Sequence, residues 1–227
     1  MPAAIDDWHE WHEGYDDSAS EMSGRMRAVR AHVAAAVSEA PAGPVTLVSI
    51  CGGEGRESIG GLAGHPRRGD VRGRLIELDP HNAVAAQRLV AEIGLEGFEV
   101  VNGDASQADA YAGLPPVDVV VVSGLFGHLS DEDHLRVVAF LRQIARPGAV
   151  VVWTYTALLA ESVPALRQRV VDGGFEELAF ERIPGDELAL TVTLSRQVGP
   201  REPFQPHRSF FTFGSSRRTG AIVTKRG

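Results

Sequence analysis

The feature that most restricts what this chain can fold into is a succession of short β-branched runs separated by stretches of helical periodicity. Residues 45–50, 74–78, 98–101, 117–122 and 149–154 each have the length and composition of a buried strand. Residues 56–63, closed by Gly64 and Pro66, then 79–93 and 131–145 read as the helices between them. Asp79-Pro80 marks one helix start, with Asp as the cap and Pro at the first helical position. Ahead of the first strand, Met22, Met26, Val29, Val33 and Val37 recur at intervals of three and four, predicting a helix over 20–38 that Pro41 and Pro44 end. Such alternation implies right-handed crossovers and a mostly parallel sheet with helices on both faces, the doubly wound α/β class.

A helix over 164–171 and the Gly173-Gly174-Phe175 turn lead to two further strands, 177–182 and 188–194, joined around Pro184-Gly185 as a hairpin. The expected sheet therefore has seven strands and an antiparallel C-terminal hairpin. The strand-like piece 209–213 either extends that sheet or packs over it. With 227 residues, 44% of them hydrophobic, the chain suffices for one domain and leaves little for a second. Residues 1–44 read as a lid and helical segment and 45–227 as a Rossmann-like ligand-binding domain, together one compact domain.

In an open parallel sheet, ligands sit beyond the carboxyl ends of the strands, near the point where strand order reverses. The first strand stops there at Cys51-Gly52-Gly53-Glu54-Gly55. Glycines let the backbone approach a ligand closely, and amides at the start of a following helix can meet a carboxylate or phosphate; a tight strand-to-helix turn is the plain alternative. Glu77 ends the second strand about 20 residues on, where a carboxylate can accept hydrogen bonds from both ribose hydroxyls. Asp79 competes for that role, but its place before Pro80 already explains it as a cap. At the end of the third strand, Gly103-Asp104-Ala105 would bring a carboxylate and an amide to the same edge, suited to the amino group and a ring nitrogen of adenine. An Asp starting a loop helix would look the same.

Val48-Ser49-Ile50-Cys51-Gly52-Gly53-Glu54-Gly55, Ile76-Glu77-Leu78-Asp79-Pro80 and Gly103-Asp104-Ala105, taken in order, resemble the motifs of class I S-adenosylmethionine-dependent methyltransferases. The resemblance runs from about Val45 to the hairpin, which is similar to the family's antiparallel sheet ending. It implies S-adenosyl-L-methionine as the cofactor: its amino acid part on the glycine turn, ribose on Glu77, adenine at Asp104 and Ala105. The implied cofactor-binding set is Cys51, Gly52, Gly53, Glu54, Gly55, Glu77, Leu78, Asp104, Ala105, Ser123, Gly124 and Phe126. Two positions depart from the pattern, Cys51 for the first glycine and Ser49 for the usual acid. A cysteine can serve there if the position does not require positive φ, and Ser49 can hydrogen-bond without a carboxylate's charge. Cys51 reads as a small packed residue rather than a nucleophile, because no neighbouring base is evident.

After the fourth strand, Ser123-Gly124-Leu125-Phe126-Gly127-His128-Leu129 lies on the functional edge, followed by the helix start Ser130-Asp131-Glu132-Asp133. In the resembled fold this loop lies beside the reactive methyl. A neutral His128 could there accept a proton from a hydroxyl or amine nucleophile, or it is a loop histidine bonded to backbone. Phe126 covers the adenine or fills the core. The aromatic opening Trp8-His9-Glu10-Trp11-His12-Glu13-Gly14-Tyr15 reads as a lid containing Trp8, Trp11 and Tyr15, or as an anchor to the domain or to another subunit in a homodimer. His9, His12 and Glu13 would offer metal ligands within one helical turn, but no second cluster or cysteine pair accompanies them, so no metal is expected.

Composition narrows the partners. Lys and Arg total 22 against 30 for Asp and Glu, a net charge of −8 that repels polyanions, so nucleic acid is not an expected partner. The basic residues Arg217, Arg218, Lys225 and Arg226 read as a solvated terminus. No apolar stretch approaches the roughly 20 residues needed to span a bilayer, and the lone cysteine excludes an internal disulfide. A cytoplasmic enzyme methylating a small molecule is the expected whole. Two rivals remain: a methyltransferase fold that binds cofactor without transfer, as a binding module or cyclase-like enzyme, and an NAD(P)-dependent oxidoreductase using Gly53-x-Gly55-x-x-Ser58.

Overall fold

The computed structural model describes residues 20–157, 162–185 and 189–214. Trp8, Trp11 and Tyr15, the candidate ligands His9, His12 and Glu13, and the basic tail lie outside the described residues. Seven strands form one sheet: β1 (Val45–Ile50), β2 (Val71–Glu77), β3 (Gly97–Asn102), β4 (Val117–Val122), β5 (Ala145–Ala157), β6 (Phe175–Arg182) and β7 (Ala189–Gln197). Their spatial order is β3-β2-β1-β4-β5-β7-β6. The first five run parallel, and β7 lies antiparallel between β5 and β6. Strand order reverses between β1 and β4, so the carboxyl ends of those two strands flank the crevice where such sheets bind ligands.

Period-two alternation divides the core in two. Val45 and Leu47 of β1 pack with Val29, Val33 and Val37 of α1 (Glu21–Glu39) and with Ala86 of α2 (Pro80–Ile93). Val48 and Ile50 face the other way, toward Val137 and Leu141 of α3 (Asp131–Ile144) and Leu166 and Val170 of α4 (Ser162–Asp172). In β4 the alternation is interrupted by an irregularity between Val117 and Val119, which leaves Val117 and Val120 on the same face. Asp118 occupies that irregularity, its carboxylate accepting from the Thr46 amide at 2.7 Å and from Arg146 Nε.

The helix starts follow their caps. Ser20 accepts from the Ser23 amide at 3.0 Å, Asp79 from the His81 and Asn82 amides at 2.7 and 3.2 Å, and Ser130 from the Asp133 amide at 3.2 Å. Strand β5 runs longer than its apolar core, 149–154, because pairing with β7 carries it out to Ala157. One expectation fails, and one left open is decided. Residues 56–63 form turns and a short 3₁₀ segment, Ile59–Leu62, instead of an α-helix. Gly60 and Gly61 disfavour the helix, and this stretch runs against α1 so closely that a Cβ on Gly61 would sit 2.8 Å from the Arg30 carbonyl oxygen. Arg30 also donates to the Arg56 carbonyl at 2.7 Å. Of the two possibilities for 209–213, packing over the sheet holds: apart from one bridge between Gln107 and Ser209 the piece joins no strand, and it buries Phe210 against Tyr111 and Phe140 and Phe211 edge-on to Phe210. No described helix is long and apolar enough to cross a membrane.

Arg67 closes the C-terminal end of α1. Its guanidinium donates to the carbonyls of Val37 (2.8 Å), Ala40 (2.6 Å), Pro41 (2.8 Å) and Gly43 (3.1 Å), groups that a helix end and its following turn leave without partners. Arg67→Ala is expected to lower the unfolding free energy in urea by about 1–3 kcal/mol. A change within about 0.5 kcal/mol of zero would mean that water serves those carbonyls equally well.

Candidate functional site

At the switch point the chain leaves β1 through three positive φ angles, Cys51 at 50°, Gly53 at 55° and Gly55 at 76°. The position of Cys51 does require the left-handed region, so the condition under which a cysteine could replace glycine without cost is not met. A side chain in this conformation costs on the order of 1–2 kcal/mol. Burial pushes the Cys51 thiol well above its ordinary range, and the carboxylates of Glu77 and Asp104 push it further, so it stays protonated and unreactive. Gly53 faces open space, with nothing within 4 Å of where a Cβ would project. Ser49 is buried beneath the turn. Glu54 pairs with Arg56 at 2.6 Å on its outer side.

Glu77 holds this turn in place. One carboxylate oxygen accepts from the Gly53 amide at 2.8 Å and the other from the Asp79 amide at 2.9 Å. Its own carbonyl takes the Gly103 amide at 2.9 Å and the Asn102 side chain at 3.0 Å, which ties the ends of β1, β2 and β3 together. A carboxylate offers about four lone-pair positions, so about two remain for a ligand's hydroxyls. Asp79 is occupied as the α2 cap, and Leu78 beside it is 70% exposed.

Asp104 organises its own loop. One oxygen accepts from the Ser106 amide at 2.8 Å and the other from Gln107 Nε2 at 3.1 Å. Partial burial would raise its pKa, but the hydrogen bonds from Ser106 and Gln107 outweigh that and lower it. Ala105 is buried, its carbonyl accepting from the Tyr111 hydroxyl at 2.8 Å. Cys51 follows β1, Glu77 ends β2 and Asp104 follows β3, three adjacent parallel strands, so the three lie on one sheet edge.

The β4 side contains residues that motif reading missed. Ser123 donates to Glu57, and Thr154 of β5 lies 3.2 Å from the Ser123 hydroxyl while accepting from the Gly124 amide at 2.8 Å. Glu57 in turn accepts from Arg25 Nε of α1 at 2.8 Å. Arg25 is 3% exposed. A signal for it existed: at three residues after Met22 and four before Val29, it places a charge on the apolar face of its helix. Phe126 fills the core, edge-on to Trp153 and His134, rather than lying open to an adenine. His128 stacks on Phe213 with ring centroids 4.8 Å apart and planes 23° apart. Burial first, and the charge of Arg25 second, lower its pKa to about 4. Residues 208–213 run from the Asp104 loop to this point, through hydrogen bonds from Ala108 to Arg208, from Phe210 to Ser106, and from Thr212 to Asp133. Among the described residues, no group of three or more His, Cys, Asp or Glu side chains could hold a metal ion.

A family model described as "Putative methyltransferase" matches residues 22–158. No curated protein sequence matches significantly. Among solved structures, magnesium protoporphyrin IX methyltransferase from Synechocystis PCC 6803 with bound SAM superposes with a TM-score of 0.64 at 15% identity, over 87% of this chain and 100% of that one. A 1,6-didemethyltoxoflavin-N1-methyltransferase from Burkholderia thailandensis, solved with its substrate and S-adenosylhomocysteine, gives 0.62 at 17% identity over 86% and 85%. A putative transferase from Pyrococcus horikoshii gives 0.52 at 17% identity over 74% of this chain, which spans 63% of that protein's length. At these identities the superpositions show the shared fold.

The depressed basicity of His128 has a sign that can be checked. Its protonated form is disfavoured in the fold relative to a free imidazole near 6.5, so this contribution to stability is full above that pH and is lost as pH falls through about 4. In an NMR titration the His128 ring protons are expected to stay flat between about pH 6 and 8 and to move near pH 4. A midpoint near 6.5 would show the ring to be solvated instead of packed under Phe213.

Proposed function

This chain belongs to the family described as putative methyltransferases, and on that premise we propose that it transfers a methyl group from S-adenosylmethionine to a small-molecule acceptor. The observation that carries the cofactor reading is the Glu77 carboxylate, which bridges the Gly53 and Asp79 amides at the switch point and keeps lone pairs for a ribose. The open side of Gly53 admits a ligand to the turn, and Glu77 accepts its ribose hydroxyls. Asp104 and the Ala105 amide take the adenine edge, with the exposed Leu78 against its ring. When bound, the cofactor supplies a methyl group on a cationic sulfur, open to in-line attack. Alignment of the nucleophile then supplies much of the acceleration.

His128 is assigned a narrower part than a general base. A group whose conjugate acid has a pKa of about 4 is poorly matched to removing a proton at neutral pH. It can still accept a hydrogen bond from a hydroxyl or amine and orient it, leaving the proton to water. The stacked His128 and the 45% exposed Phe213 offer a flat wall on this side. That wall suits a ring-bearing acceptor, the kind named for the Synechocystis and Burkholderia proteins.

One observation weighs against the nicotinamide alternative. That reading needs a helix N-terminus behind the glycine turn to meet a pyrophosphate, and residues 56–63 form no α-helix; Ser58, the last position of the pattern, is buried. Calorimetric titration tests the assignment. S-adenosylmethionine and S-adenosylhomocysteine are expected to bind in the micromolar range with NAD silent, and Glu77→Gln, which keeps the side chain's size but sets an NH2 donor against one of the two backbone amides, to weaken both by about tenfold or more. Folded wild-type protein that binds neither would defeat the reading. Binding without label transfer to any acceptor from a methyl-labelled cofactor would favour a non-transferring module.

A further inference from the structure

At the end of the sheet away from the glycine turn, the described residues line a cavity of about 140 Å³, partly open to solvent, that none of the assignments above uses. Its lining includes Tyr111, Leu114, Val117, Ile144 and Phe204, with Arg201 at one side. Val117 begins β4 and Ile144 ends α3, so the cavity lies at the opposite end of those elements from the cofactor edge. Its size matches one six-membered ring, since an engineered apolar cavity of about 150 Å³ binds benzene.

The walls are held from several directions. Arg74 donates to the carbonyls of Ala110 and Ala112 at 2.6 and 3.4 Å, Arg201 Nε donates to that of Gln143 at 2.9 Å, and Gln143 Oε1 accepts from the Gln205 amide at 3.0 Å. The space therefore exists before a ligand arrives, which spares part of the ordering cost of binding. Arg201 forms no ion pair among the described residues, and the neighbouring carboxylate, Glu202, is taken by Arg142 at 2.6 Å. A guanidinium without a counter-charge beside an apolar recess complements a ligand with a ring at one end and a carboxylate at the other. Its planar fork can give that carboxylate two parallel hydrogen bonds.

Tyr111 links the cavity to the cofactor edge. Its ring lies edge-on to Phe140 and Phe210, with centroids 5.0 and 5.9 Å away, while its hydroxyl donates to the Ala105 carbonyl at 2.8 Å. Ala105 is the residue assigned above to the adenine edge. We propose that the cavity is an effector site for a monocyclic aromatic carboxylate, its ring packed on Tyr111 and its carboxylate on Arg201, and that occupancy tightens cofactor binding. The sign follows from order. A ring held against Tyr111 restrains the residue that fixes the Ala105 carbonyl, so the loop has less freedom left to lose when the cofactor binds. The effector role rests on the S-adenosylmethionine reading above; the site itself does not.

Phenylacetate and its uncharged amide serve as probes. In an NMR titration of the full chain, phenylacetate is expected to shift the amides of Tyr111, Leu114, Val117, Ile144 and Phe204, and to bind about tenfold more tightly than phenylacetamide. Arg201→Gln should remove that preference and leave phenylacetamide within about twofold. By calorimetry, saturating phenylacetate should tighten S-adenosylhomocysteine binding by about fivefold in wild type, and by less than about twofold in Tyr111→Phe, which keeps the ring and loses the bond to Ala105. Leu114→Trp, which fills the recess from its rim, should abolish both the shifts and the tightening, and its S-adenosylhomocysteine affinity without phenylacetate shows that it is folded. Shifts that are absent or scattered over the surface, or equal binding of the two probes, would overturn the site. Binding that leaves S-adenosylhomocysteine affinity unchanged or weakens it would overturn the effector role. Wild type that takes phenylacetate as expected but binds no S-adenosylhomocysteine would overturn the cofactor reading, and the effector role with it, but not the site.

Discussion

The two amide hydrogen bonds accepted by Glu77 are the constraint on which the site depends. A turn carrying three left-handed residues at alternate positions, one of them a cysteine, is not a conformation the backbone holds by itself. The carboxylate at the end of β2 reaches across to the Gly53 amide and at the same time to Asp79, with each bond to a charged acceptor contributing about 1.5–3 kcal/mol. That fixes the turn after β1 relative to the start of α2. Asn102 extends the tie to β3 through the carbonyls of Glu77 and Leu78. One side chain therefore shapes the turn and, on the proposed reading, is also the acceptor for a ribose.

The second constraint is the close pass of α1 over residues 56–63. In a doubly wound sheet the stretch after the first strand is the place for a crossover helix, yet here it is compressed into turns and a 3₁₀ segment. The surface over β1 is instead covered by α1, whose Val29, Val33 and Val37 share a core with Leu47, Ile59 and Leu62. Arg30 bonded to the Arg56 carbonyl and Arg25 bonded to Glu57 stitch the helix to this stretch. The helix preceding the sheet thus acquires a part in the site that its position in the sequence does not suggest.

How much of this was legible follows from how local each feature is. Strands and caps rest on neighbouring residues, so the β-branched runs, Asp79-Pro80 and Ser130 with Asp133 disclosed the sheet and two helix starts. The places of Glu77, Asp104 and the glycine turn along one sheet edge were visible because they follow from strand ends, which the same runs define. The absent helix over 56–63 was only half visible: the two glycines weaken it, but the backbone of Arg30 that excludes a side chain at Gly61 arrives from 31 residues away. The φ of Cys51 could not be read, since nothing in a cysteine announces a left-handed turn. Residues 209–213 have the composition of a strand, but their amides go to the Asp104 loop and to Asp133, so propensity yielded to tertiary partners.

The electrostatics of the β4 loop depend on residues from both ends of the described chain. His128 stacks on a residue from the far end of the described chain, Phe213, and feels the charge of one from its beginning, Arg25. Burial and the Arg25 charge both favour the neutral ring, and neither is local. A histidine placed on the functional edge by motif alone looks like a base, because a free imidazole titrates near neutrality. Packed under an aromatic ring and beside a guanidinium, it binds a proton poorly, and on the proposed reading it is a fixed dipole that aims a nucleophile. For methyl transfer to a cationic sulfur centre that exchange is acceptable chemistry: orientation contributes more than proton removal, and a site that keeps its histidine uncharged avoids adding a second positive charge beside the first.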